Sequence, residues 1–145
     1  MEPLKVLRVA LPESQKIQGS GYGYGYGSIV WSLVAQSTIL NWPASQRQRY
    51  EELVATPDTT LAFWKSTTDG YSANGGDRTV AAVPGAVEEI AGPLRICTRN
   101  ALHATMAPNN WKGERLWVVA LFGEVQVQED KFGALKREII GEVPC

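Results

Sequence analysis

From Thr59 onward the chain is cut into short β-rich runs by turn-forming residues, and this punctuation constrains the fold more than any other feature. TTLAFWKSTT (59–68) is rich in β-branched and aromatic residues, and Asp69-Gly70 and Asn74-Gly75-Gly76-Asp77 follow it as turn sequences. RTVAAV, AVEEI and PLRIC are further strand candidates, separated by Pro84-Gly85 and Gly92-Pro93, and ALHAT is another extended piece. Ala107-Pro108-Asn109-Asn110 reads as a loop or the start of a helix. Last come RLWVVALFGEVQVQ and ALKREIIGEV, flanking Glu129-Asp130-Lys131-Phe132-Gly133 in the manner of a hairpin. Residues 59–143 are thus a β-rich part.

The N-terminal half reads differently. LKVLRVAL (4–11) is mostly apolar on both faces and predicts a first strand near the sheet centre, ended by Pro12. Residues 19–28 are a period-2 repeat that, when extended, places Tyr22, Tyr24 and Tyr26 on one face and bare glycine backbone on the other. Glycine loses much entropy on ordering, so this segment is either a mobile loop or a tyrosine-lined binding surface. SIVWSLVAQSTILN (28–41) has near-helical apolar spacing with Ser28 as N-cap, while its β-branched content leaves a strand as the alternative. After Trp42-Pro43 a second helix, capped by Asn41, is expected over ASQRQRYEELVA, with Tyr50, Leu53 and Val54 toward the core. The expected fold class is α+β, with a mainly antiparallel sheet and two helices in the N-terminal half, in a single domain over residues 1–145.

Composition removes several function classes. A chain of 145 residues with 44% apolar and 20% charged residues can bury a core without metal or disulfide staples. A net charge of −1 provides no general attraction to nucleic acid or anionic lipid. Two cysteines, Cys97 and Cys145, are too few for a disulfide framework and suit a reducing compartment. No run reaches the roughly 18 apolar residues of a spanning helix, so the expected setting is soluble and intracellular, away from membranes.

His103 is the only histidine, so any chemistry that needs an imidazole must use it. With Cys97 and Cys145 it has no close ligand spacing, and no metal site is expected. A Cys97–His103 nucleophilic dyad requires the fold to bring the two together; otherwise His103 packs at a strand edge with its ring bonded to backbone. Arg99 completes a possible polar site with these two residues. There is no P-loop, dinucleotide fingerprint or nucleophile elbow; the glycines of 19–27 are interleaved with rings that would crowd a phosphate. No catalytic residue and no cofactor is assigned. The acidic spots (Glu51-Glu52, Glu88-Glu89, Glu129-Asp130) and the basic ones (Arg47, Arg49, Lys136-Arg137) read mostly as solvated charge. Of the five tryptophans, Trp64 and Trp117 fit the core, whereas Trp42 and Trp111 are candidates for exposed anchors in a partner-binding surface with the three tyrosines.

The order Gly92-Pro93-Leu94-Arg95-Ile96-Cys97, Ala101-Leu102-His103-Ala104, Leu121-Phe122-Gly123-Glu124-Val125, Asp130-Lys131 and Lys136-Arg137-Glu138-Ile139 resembles a family of small bacteriophage and prophage domains. The likeness covers about residues 61–143 and departs from the family pattern at Ala101 and Thr105 and in the 107–113 segment. It implies phage origin and action in the cytoplasm of a bacterial host. The implied function is a small binding protein directed at a host protein or complex, such as an anti-CRISPR-type inhibitor of host defence. A virion-associated accessory protein is an alternative. A second likeness, of ALHAT-MAP and LWVVALFGEV to ADP-ribosyltransferase-like folds, implies an NAD-binding enzyme using Arg8 with Glu124 or Glu138.

Overall fold

A computed structural model describes residues 33–73 and 80–144, and the expected strand at 4–11, the Gly-Tyr repeat and the turn at 74–77 lie outside them. Among the described residues two α-helices precede seven strands, so the α+β class holds. Helix α1 covers 33–39 and α2 covers Ala44–Val54. Among the described residues no helix is long and apolar enough to cross a membrane.

The turn between the helices is built differently from the expectation. The N-cap of α2 is Pro43, whose carbonyl accepts from the N–H groups of Gln46 and Arg47 at 3.0 and 3.1 Å. Asn41 serves the other helix instead, donating its Nδ2 to the Ser37 carbonyl near the α1 C-terminus. Proline suits this place because it has no N–H to leave unsatisfied at a helix start.

The strands are β1 (Thr59–Ser66), β2 (Val87–Glu89), β3 (Leu102–Thr105), β4 (Arg115–Phe122), β5 (Gln126–Gln128), β6 (Lys131–Ala134) and β7 (Lys136–Val143). They form one antiparallel sheet in the order β2-β7-β4-β1-β3-β6-β5. The expected terminal hairpin is thus split in two. Gly123, at φ 78°, ends β4, and the tight turn at Glu129-Asp130 joins only β5 to β6. Leu135 alone separates β6 from β7, which returns to pair with β4.

PLRIC and the described end of RTVAAV (80–83) are not strands. Pro93 has no donor for a ladder, and Thr98 bonds locally, donating to the Arg95 carbonyl at 2.6 Å and accepting from the Asn100 N–H at 3.0 Å. Cys97 lies at φ 63°, outside the extended range.

Both faces of the central strands are covered: adjacent Ala62 and Phe63 are fully buried although they point to opposite sides. Helix α2 lies on the face of Val118, Gly141 and Glu138. The opposite face curls on itself. Strand β7 stands three places from β3, yet Arg137 of β7 donates its Nη1 to the His103 carbonyl of β3 at 2.8 Å. The single-residue link from β6 to β7 requires the same curvature. Trp64, Trp117, Phe132 and Ile139 fill this side, and the sequence expectation of core positions for Trp64 and Trp117 holds.

Candidate functional site

Residues 92–101 form a loop that leads into β3 and is held against β3, β5 and β6. Ile96 donates its N–H to Gln126 Oε1 at 2.8 Å, and Gln126 Nε2 donates to the Leu94 carbonyl at 3.1 Å. Gly133 of β6 lets the loop sit close: a Cβ there would come within 3.1 Å of Ile96 Cγ1 and Ala101 Cβ.

His103 fastens this loop. Its Nε2 accepts the backbone N–H of Cys97 at 3.0 Å, so that nitrogen is unprotonated and the ring proton sits on Nδ1. Partial burial lowers its pKa below the usual 6.5, and the nearby charges of Arg137 and Lys131 act in the same direction. The fold does bring Cys97 and His103 together, but through the cysteine's backbone. A nucleophile–base pair needs the thiol on the ring nitrogen, and here an amide uses the Nε2 lone pair. The Cys97 thiol is free and exposed, and Arg99 is exposed on the same loop.

Beneath the loop lies an arrangement the sequence reading missed. Arg137, grouped there with solvated charge, is 4% exposed. Its guanidinium stacks 4.4 Å over the Trp64 ring, pairs with Glu88 at 2.9 Å and holds the His103 carbonyl. Its Nε is buried with no hydrogen-bond partner. Desolvation pulls the guanidinium pKa down and Glu88 opposes this, leaving the cation in a largely dry interior. Two other Arg–Glu forks tie the outer layers. Arg49 of α2 grips Glu138 at 2.7 and 2.8 Å, and Arg115 grips Glu142 at 2.8 and 2.9 Å while lying over Trp117. No local signal marked Arg137: β7 carries Lys136, Arg137, Glu138 and Glu142 among its eight residues, and residue type does not say which of them is buried.

The proposed anchors divide. Tyr22, Tyr24 and Tyr26 lie outside the described residues. Trp42 is a correction: expected as exposed, it is 8% exposed, donates Nε1–H to the Glu142 carbonyl at 2.9 Å and packs on Gly141. Its ring secures the helix pair to β7. Trp111 is half-buried against the core, and its carbonyl accepts from Lys65 Nζ at 3.1 Å. Of the residues named for NAD chemistry, Arg8 lies outside the described residues, Glu124 is exposed and Glu138 is held by Arg49.

The described surface includes two shallow depressions. One, of about 390 Å³, lies between Trp42, Ala82, Val83 and the Arg115–Glu142 fork. The other, of about 420 Å³, runs between α1 and α2 and is walled mainly by Ile39, Leu40, Tyr50 and Val54. No family model, curated protein or solved structure matches the chain.

Proposed function

We propose that this chain is a non-enzymatic binding protein of phage or prophage origin that engages a macromolecule of the bacterial host, as an inhibitor of a host defence system does. The origin and the host setting rest on the sequence resemblance alone. The observation that supports binding over catalysis is the engagement of the single imidazole. His103 Nε2 closes a loop by accepting the Cys97 amide, and its backbone carbonyl holds a buried arginine. A residue used in this way at both ends shapes a surface. With the Nε2 lone pair committed to the Cys97 amide and the proton on Nδ1, the neutral ring has no free lone pair to act as a general base.

The test is capture from bacterial lysate with the tagged full-length chain, read by mass spectrometry. One stoichiometric host partner is expected, lost when Tyr22, Tyr24 and Tyr26 are all replaced by Ser. Retention of that partner by the triple variant removes the tyrosine segment from the binding surface. Modification of lysate proteins that requires NAD and disappears in His103→Ala overturns the binding reading in favour of an enzyme.

A further inference from the structure

The outer stripe of the helical hairpin has a self-complementary pattern. On α2, Arg47, Tyr50, Glu51 and Val54 recur at i, i+3, i+4 and i+7, one stripe of the helix. Across from them stand Gln36 and Ile39 of α1 and Leu40 just beyond its end. Between them runs the groove of about 420 Å³. Its rim is apolar where water would be expected: Leu40 is 53% exposed. Tyr50 also lines this groove, and its hydroxyl is buried with no hydrogen-bond partner.

We propose that this groove is a two-fold interface between two copies of the chain. Two observations select a second copy over another occupant. The groove offers both a cavity and a protruding apolar side chain, Leu40, as an isologous contact requires: each copy's knob meets the other's hole. Arg47 and Glu51 sit one helical turn apart on the rim, both exposed and neither in an ion pair with a described residue. When two α2 helices lie antiparallel about a two-fold axis, Arg47 of each copy faces Glu51 of the other, and the pairing occurs twice. A partner of a single charge sign would leave one of the two facing its own kind. The resulting assembly is a four-helix layer between two sheets, with the loop at His103 left free.

The proposal is independent of any host partner and is tested on the purified full-length chain by sedimentation equilibrium. A reversible dimer is expected at concentrations up to about 100 μM, within the range of small transient interfaces. Leu40→Asp is expected to yield a monomer with unchanged circular dichroism and melting. Arg47→Glu or Glu51→Arg each turns both symmetry-related pairs repulsive and is expected to weaken the dimer about tenfold. The double variant Arg47→Glu/Glu51→Arg restores the pairing with its polarity reversed and returns the dissociation constant to near that of the parent chain. A parent chain that stays monomeric overturns the proposal, as does a dimer indifferent to Leu40→Asp. Failure of the double variant to recover affinity also overturns it, because the antiparallel alignment requires that recovery.

Discussion

Gly141→Ala is the smallest perturbation that tests how the helical hairpin is seated. Gly141 lies on β7 opposite Val118, beside the bulge between Val118 and Val119. A Cβ at this position would stand 2.5 Å from Trp42 Cζ2, 2.6 Å from Cε2 and 2.8 Å from Gln46 Oε1. Gln46 is long enough to swing aside. Trp42 is not free to do so, because its Nε1–H is held by the Glu142 carbonyl and its ring meets Tyr50 edge-on at 6.3 Å. Replacing a strand glycine by alanine would by itself gain roughly 0.5–1 kcal/mol through reduced chain entropy. Against this stand overpacking of about 1–3 kcal/mol and a strained or broken indole hydrogen bond of about 1 kcal/mol. The net expectation is a loss of about 1–3 kcal/mol. With an unfolding entropy near 2.1 cal/mol/K per residue, a chain of 145 residues loses about 3 °C of Tm per kcal/mol, so Tm should fall by roughly 3–10 °C. Differential scanning calorimetry reads this directly. The cost should largely vanish when Gly141→Ala is made in a Trp42→Ala background, since the clash partner is gone. An unchanged or raised Tm in the parent background, or an equal loss in both backgrounds, refutes the claim that indole-to-backbone contact seats the hairpin.

Two further predictions concern the curled face. Arg137→Ala leaves Glu88 and the His103 carbonyl without their donor and opens a cavity under Trp64, with an expected cost of about 3–5 kcal/mol in urea unfolding; Arg137→Met/Glu88→Gln, which removes both charges and keeps the volume, should cost less. His103 has a folded-state pKa below its unfolded value of 6.5, so the folded chain resists its protonation. The stabilisation is present above the unfolded value and is lost as pH falls below 6.5 toward the folded pKa, while the hydrogen-exchange protection factor of the Cys97 amide falls. His103→Gln, whose side-chain oxygen can accept from Cys97, should flatten that part of the pH–stability curve.

Much of the fold was legible because local chemistry dictates it. Thr59–Ser66 is a strand of β-branched and aromatic residues, and Asp69-Gly70 turns the chain with Gly70 at φ 90°. The helix pair was legible from apolar spacing and the Trp42-Pro43 break. PLRIC was misread because its composition suits a strand while Thr98, Asn100 and His103 offer its backbone nearer partners. Of the candidate site, the meeting of Cys97 with His103 was anticipated as a possibility, but its use of the cysteine's amide was not visible in residue types.

The sequence by itself determined the class and most of the described elements, since periodicity, turn residues and propensity act over a few neighbours. The tertiary structure decided which face each charged or aromatic side chain occupies. Arg137 and Arg47 are the same residue type, yet one is sealed over Trp64 and the other lies at an open groove. The difference follows from the curl that brings β7 back toward β3. That curvature arises from pairings between residues far apart in the chain, and no local pattern encodes which side of the sheet becomes its inside.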